Sequence, residues 1–347
     1  MELSIFFSTF ASEMRRPVYI FVALSLLLIC LAVLDLCSGS VWISPIRLLS
    51  MGEQAKLALD NPLANILLHL RLPKMITAIL AGASLSVAGL MMQTLFRNPL
   101  AGPYILGVSS GASLGVAFVT MLGTMAFLPV RFLASPNSLI IAAILGGLVT
   151  MLLVMLVARR IRSNVTLLIV GMMVGNIATA LVSVLQNFAN PDSLKLFVLW
   201  TLGSLGGVDW TELPILAIGL GLAFVLVLML IKPLNGLLLG EDYARGLGIN
   251  VERTRRMMVL ASCLLAGGIT AFCGPIAFIG VAVPHIARGI FATSNHRITV
   301  PASALIGANL LLVCDILCNI GTYSLPISTM SALIGAPIIL WIVLKHK

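Results

Sequence analysis

Ten apolar windows recur along this chain, and each has about the length needed to cross the hydrocarbon core of a bilayer. A spanning helix needs roughly 17–25 predominantly apolar residues. In lipid the backbone must satisfy its own hydrogen bonds, so windows of this length become helices. The sequence therefore predicts an all-α polytopic membrane protein with about ten transmembrane helices. The windows lie near residues 18–37, 72–96, 103–122, 138–158, 164–187, 213–231, 257–273, 275–291, 301–320 and 328–344.

The composition excludes an ordinary soluble domain. Hydrophobic residues make up 60% of the 347 positions and charged residues 10%, whereas a soluble domain carries roughly 25% charged residues. The mean hydropathy is +1.12. The connections between windows are too short for a soluble domain, so residues 1–347 are predicted to form a single transmembrane domain. The longest polar connections are 38–70 and 232–256.

The basic residues predict the orientation. An even number of crossings places both termini on one side, and Lys and Arg accumulate on the cytoplasmic side. With cytoplasmic termini, 15 of the 21 Lys and Arg residues fall on inside segments and 6 outside. The net charge of +9 is thus an orientation signal and not a nucleic-acid surface. The first window follows Arg15 and Arg16 and resembles a signal peptide, but its length favours an uncleaved first helix.

Residues 71–118 are apolar enough for lipid yet rich in Gly, Ser, Asn and Pro. Helix-breaking residues such as Asn98, Pro99, Gly102 and Pro103 are tolerated at membrane depth only where protein or a water-filled cavity surrounds them. The segment is therefore predicted to line a passage. Its hydroxyl and amide side chains offer weak contacts for a cargo that must be released: Ser84, Ser86, Gln93, Ser109, Ser110 and Ser113.

A short pattern is duplicated along the chain. Leu80-Ala81-Gly82 with Gly89 and Pro99 recurs as Leu265-Ala266-Gly267 with Gly274 and Pro284, at a constant offset of 185. In the predicted topology helices 2 and 7 run in opposite directions. Helices 2–5 and 7–10, residues 72–187 and 257–344, are therefore predicted to form an inverted repeat with a pathway at its interface.

The cytoplasmic loop 233–256 mixes leucines with charged residues and breaks at Gly246 and Gly248. Two short helices at the cytoplasmic face are predicted here. They rest on the lipid surface or serve as a docking surface for a cytoplasmic protein.

Three local motifs have a structural interpretation as well as a functional one. Gly107–Gly111 matches the G-x-S-x-G pattern of serine hydrolases, but the strand-to-helix elbow is missing and no residue ties His285 to Ser109. Cys314 and Cys318 offer at most a weak soft-metal site and are better interpreted as packing residues. Asp315 is a carboxylate within an apolar helix, where it is either a proton relay or a hydrogen-bonding anchor. No P-loop motif occurs, so any ATPase is a separate polypeptide.

Several longer motifs together resemble the FecCD family of permeases, which belong to type II ABC importers for iron-siderophores, heme and vitamin B12. The resemblance extends over nearly the whole chain. It rests on residues 71–118 and on GSLGGVDW at 203–210, LGEDYARGLGI at 239–249, GPIAFIGVAVPHIARGI at 274–290, HRITVP at 296–301 and LPISTMSALIGAPIILWIVLK at 325–345.

The resemblance implies an assembly in the bacterial inner membrane. Two copies of the chain would form a homodimer with the pathway between them. Two ATPase subunits, which bind ATP and Mg, would dock on the cytoplasmic loops, and a substrate-binding protein would dock outside. The chain itself would carry no catalytic, cofactor or metal site.

The resemblance also implies roles for individual residues. Arg71 and Lys74 match an outer basic element that docks the binding protein, where charge complementarity favours association. Asn98, Pro99 and Leu100 match an element that closes the cytoplasmic mouth, and Asn164 and Val165 lie at the corresponding end of helix 5. The residues that match the ATPase-coupling loop are Gly240, Glu241, Ala244, Arg245, Gly246 and Gly248.

An iron chelate is the predicted cargo, with vitamin B12 second and heme third. Asn319 replaces a further docking Arg of the vitamin B12 permease, which weakens that assignment. Two other classes remain open. An ion-coupled secondary transporter would use Asp315 as its proton site, and a membrane scaffold would have no transport activity.

Overall fold

The computed structural model describes residues 2–39, 42–44, 62–122, 136–160, 163–320 and 324–345. Most of the predicted outer loop 38–70 lies outside these residues. Within them, every regular element is helical. We number the helices α1 (Glu2–Cys37), α2 (Leu72–Phe96), α3 (Val108–Ala117), α4 (Pro136–Ala158), α5 (Asn164–Phe188), α6 (Pro191–Thr201), α7 (Leu213–Leu238), α8 (Glu241–Gly246), α9 (Val251–Cys273), α10 (Ile279–Phe291), α11 (His296–Cys318) and α12 (Ile327–Lys345).

The described part of the chain contains ten apolar helices, as predicted. Seven helices are long and apolar enough to cross a membrane, and three shorter apolar helices are α3, α10 and α12. The helix α6 was not predicted. It begins where the Asn190 side chain accepts a hydrogen bond from the Ser193 backbone N–H, which satisfies one free donor of its first turn.

The prediction of two short helices in loop 233–256 is wrong. The helix α7 extends to Leu238 and α9 already begins at Val251, so only the six-residue helix α8 lies between them. The first turns of α9 contain Glu252, Arg253 and Arg256, which an apolar window excludes. A helix can extend beyond the hydrocarbon, where charged side chains reach water. The Asn250 side chain caps α9 by accepting a hydrogen bond from the Arg253 backbone N–H.

The predicted break between the second and third helices is present. The helix α2 ends at Phe96, where Arg97 adopts a left-handed conformation with φ of 47°. A short turn of 3-10 helix, Pro103–Leu106, precedes Gly107, which caps α3 with φ of 76°. We name residues 97–102 the gate segment. Few backbone hydrogen bonds hold it, such as Ala101 N–H to Asn98 O at 3.1 Å.

The helix α2 occupies the centre of the fold and packs on α11 and α10 through glycines. A Cβ atom on Gly82 would lie 2.2 Å from the Gly307 carbonyl oxygen, and one on Gly89 would lie 1.7 Å from that of Gly280. Only hydrogen at these positions allows the backbones to approach this closely. In the other direction, α9 packs on α4 and α3. Each central helix thus contacts helices from the opposite half of the chain.

The residues matched at an offset of 185 do not occupy equivalent places. Gly89 lies inside α2, whereas Gly274 follows the end of α9 with φ of 74°. Pro99 lies in the gate segment, whereas Pro284 lies within α10. The repeat boundaries 72–187 and 257–344 therefore stay a prediction.

Candidate functional site

The helix α8 is bounded by two glycines with unusual backbone conformations. Gly240 has φ of 115° and Gly248 has φ of 78°, and both values strongly disfavour other residues. Gly246 has ordinary helical geometry, and no atom lies within 4 Å of the place a Cβ would take. Ala244 is buried against the fold, so it fixes which face of α8 points outward. The glycines thus orient the short helix across the ends of α7 and α9.

Glu241, at the start of α8, connects three parts of the chain. Its Oε1 accepts hydrogen bonds from Asn164 Nδ2 at 3.0 Å and from Arg255 Nη2 at 3.2 Å. Its Oε2 accepts one from Arg245 Nη2 at 3.2 Å. Asn164 begins α5, and Arg255 is a buried residue of α9. One carboxylate therefore joins the predicted coupling helix to the predicted gate residue Asn164.

The outward face of α8 combines exposed charges with exposed apolar side chains. Arg245 pairs within the helix, with Asp242 Oδ1 at 2.8 Å and with Glu241. Exposed ion pairs of this kind contribute little to stability and exchange readily for other partners. Beside them Leu239, Tyr243 and Leu247 are each more than half exposed. A helix with this face suits a complementary protein cleft.

The gate segment is bonded to α10. Inside the segment, the Asn98 side chain accepts a hydrogen bond from the Leu100 N–H at 2.9 Å. His285 Nε2 of α10 lies 2.9 Å from the Pro99 carbonyl oxygen. Leu100 is about half exposed, and Val165, next to Asn164, is 66% exposed. The two predicted gate elements thus present apolar side chains at the surface of this single chain.

The predicted passage residues fall into two groups. Ser109, Ser110 and Ser113 are half-buried on α3, and Thr179 of α5 donates a hydrogen bond to Ser110 Oγ at 3.4 Å. Gln93 is nearly buried, and its side chain donates to Val281 O at 3.1 Å and accepts a hydrogen bond from Arg288.

The prediction that Ser84 and Ser86 face a passage is wrong within this chain. Both side chains are fully buried between helices, and Ser86 donates to the Gly82 carbonyl at 2.7 Å. Small residues at these positions permit close helix packing.

The two predicted docking cations both have partners inside the chain. Arg71 Nη1 donates to the Leu36 carbonyl oxygen of α1 at 2.8 Å. Lys74 Nζ lies 2.8 Å from Asp315 Oδ1 of α11 and 3.1 Å from Oδ1 of Asn319, which directly follows that helix. The Lys74 side chain is 23% exposed and that of Asp315 is 3% exposed. Docking through Arg71 and Lys74 stays a prediction, and the intramembrane carboxylate Asp315 is neutralised by a lysine.

Sequence reasoning missed several residues of these networks. Asp35 of α1 interacts with Asp315, Lys74 and Arg71, which gives a four-residue charge cluster at one end of α1, α2 and α11. Buried Arg255 and His296, and partly buried His285, were also missed as contact residues. The only available signal was that each is a polar residue in or beside an apolar window, where polar residues usually face a partner.

We expect the Lys74–Asp315 pair to show strong energetic coupling. Lys74→Met alone should lower the free energy of unfolding by about 3 kcal/mol, because it leaves a buried carboxylate without its cation. The double variant Lys74→Met/Asp315→Leu should recover part of this loss, since it leaves no unpaired charge from the pair. Denaturant unfolding of the detergent-purified chain measures both effects. Additive losses from Lys74→Met and Asp315→Leu would show that the two groups do not interact.

Comparisons with known proteins agree with this architecture. The FecCD transport family matches residues 26–345. The chain is 36% identical to the vitamin B12 import system permease protein BtuC of Salmonella typhi, over 97% of this chain and 98% of that protein. The same protein of Salmonella agona gives the same identity and coverage.

Two solved structures are similar. An inward-facing transporter assigned to the metal-chelate type of ABC transporter superposes with a TM-score of 0.82 and 30% identity, over 94% of this chain and 99% of that chain. PsaBC from Streptococcus pneumoniae, solved with a Fab, has a TM-score of 0.51 and 19% identity, over 84% of this chain and 94% of that chain. The latter similarity shows the fold alone.

Proposed function

This chain belongs to the FecCD transport family and is a permease of the ABC importer type, and we propose that its cargo is vitamin B12. The sequence motifs alone placed an iron chelate first. The curated relatives support the second cargo instead, because vitamin B12 permeases match 97% of the chain at 36% identity. The half-buried hydroxyl groups of Ser109, Ser110 and Ser113 suit a large polar cargo that has to be released.

A ferric siderophore remains the second candidate. Lys74 bonds to Asn319 in this chain. The vitamin B12 permease, which the sequence resembles, carries a further arginine at the position of Asn319. An asparagine there gives the outer face one positive charge fewer. A 30% identical transporter of the metal-chelate type also aligns over almost its whole length.

We propose that two copies of the chain form the passage in the inner membrane with their termini in the cytoplasm, and that two ATPase subunits dock on α8. The observation that carries the coupling role is the bond between Glu241 and Asn164. A movement of α8 would pull on the first turn of α5, where Val165 is exposed. The apolar face of Leu239, Tyr243 and Leu247 supports insertion of α8 into a protein cleft, in place of the lipid-surface alternative.

We expect uptake measurements to identify the cargo. Cells that lack this chain, with and without the restored gene, are given labelled cobalamin, labelled ferric siderophore or labelled heme. Loss and recovery of cobalamin uptake alone supports the proposal. Loss of siderophore uptake alone moves the cargo to the second candidate. ATP depletion with a maintained proton gradient should stop uptake, whereas continued uptake would indicate an ion-coupled transporter.

A further inference from the structure

The gate segment has almost no regular structure of its own, but α10 contacts it at Pro99 and at its far end. His285 Nε2 contacts the Pro99 carbonyl at 2.9 Å. At the far end, the Cβ position of Gly102 lies 3.0 Å from Val281 Cγ2, and that of Gly280 lies 2.6 Å from Pro103 Cδ. Because a carbonyl oxygen only accepts hydrogen bonds, His285 must carry its proton on Nε2 in this contact. The histidine is thus the polar attachment of a segment whose far end also approaches α10 closely.

A second histidine links the same region to the base of the coupling helix. Buried His296, the first residue of α11, lies with Nδ1 3.0 Å from Asn235 Oδ1 and with Nε2 3.0 Å from Thr94 Oγ1. Its backbone N–H also donates to Asn235 Oδ1 at 2.7 Å. Asn235 belongs to the last turn of α7, five residues before Gly240, and Thr94 belongs to the last turn of α2, directly before the gate segment.

We propose that His285 and His296 are positioning residues of the gate segment. His285 attaches the segment to α10, and His296 connects the segment's beginning to the end of α7, which leads into α8. A displacement of α8 then reaches the gate segment by a second route that does not pass through Glu241 and Asn164. This inference rests on the proposed importer function for its role in transport, whereas the attachment itself does not depend on the cargo.

Hydrogen exchange tests the attachment directly. In the purified chain, we expect His285→Leu to raise the exchange rate of the backbone amides of residues 97, 98 and 100–102 about fivefold. This factor corresponds to the loss of one ordinary hydrogen bond. His285→Gln places an amide N–H close to the original Nε2 and should keep the wild-type rate. His69→Leu changes an exposed histidine outside these contacts and serves as the control.

Transport measurements test the second route. In vesicles that contain the assembled ATPase complex and its binding protein, His285→Leu and Thr94→Val should each raise the ATP hydrolysed per cargo molecule at least about fivefold. Thr94→Val removes the hydroxyl bonded to His296 without changing the side-chain shape. His285→Gln and His69→Leu should keep the wild-type ratio.

Each result has a definite meaning. Unchanged exchange at residues 97–102 in His285→Leu would overturn the attachment. Suppose that His285→Leu raises the exchange rate, but that the ATP hydrolysed per cargo molecule stays at the wild-type value in His285→Leu and in Thr94→Val. This result would overturn the route to the gate. If the wild-type complex takes up none of the labelled cargoes, the proposed function fails, while the exchange measurement still decides whether His285 holds the segment.

Discussion

Glu241→Ala should uncouple ATP hydrolysis from transport. The assembled complex should still hydrolyse ATP, but cargo uptake per ATP should fall at least about tenfold, within the usual range of coupling free energies. The reason is that the variant loses the 3.0 Å bond to Asn164 and the contact with Arg255 in one step. Uptake and phosphate release in reconstituted vesicles give the ratio.

Two variants separate this role from a general effect of charge. Glu241→Gln retains an oxygen that accepts the hydrogen bond from Asn164, so it should keep more coupling than Glu241→Ala. Asp242→Ala removes a neighbouring acid on the same helix, which pairs with Arg245 at 2.8 Å, and should behave as wild type. Equal coupling in Glu241→Ala and Asp242→Ala would contradict the proposed link.

Gly89→Leu is expected to prevent folding of the chain. Even the Cβ atom would lie 1.7 Å from the backbone oxygen of Gly280, a distance at which the two helices must separate. Overpacking that only moves side chains costs about 1–3 kcal/mol, and here backbones must move as well. We expect little monodisperse protein after detergent extraction, and Gly89→Ala should already lower the unfolding midpoint clearly.

The chain offers a matched control for this prediction. Gly221 lies in the spanning helix α7, and no atom lies within 4 Å of its Cβ position. Gly221→Ala should leave folding intact and raise stability slightly, because alanine favours a helix more than glycine does. If Gly89→Leu folds as well as Gly221→Ala, α2 and α10 are not as close as described.

The glycine pairs show why sequence alone could not predict helix contacts. Glycine and alanine are frequent in membrane helices, so the match at an offset of 185 suggested that Gly89 and Gly274 were equivalent. The structure instead places Gly89 against Gly280 and puts Gly274 at a helix end. The same residue type serves close packing in one place and a positive φ in the other, and a local pattern does not distinguish them.

The charged residues show a similar limit. Because Asp315 is an isolated acid in an apolar window, the sequence showed that it needs a partner. The sequence did not show which residue the partner is. Lys74 was assigned to the outer surface because it matches an outer basic element of the family. Only the packing of α2 on α11 brings the two within 2.8 Å.

The sequence by itself determined the helical class, the ten apolar helices, the break at residues 97–102 and the place of the polar connection between α7 and α9. These features follow from local rules, because length and hydropathy decide membrane insertion and Pro, Gly and Asn interrupt helices. Only the tertiary structure decided that Glu241 bonds Asn164 across 77 residues, that His285 bonds Pro99, and that Ser84 and Ser86 are buried. Contacts between distant residues depend on how whole helices rotate and approach each other. That arrangement is set by the packing of all neighbouring helices at once.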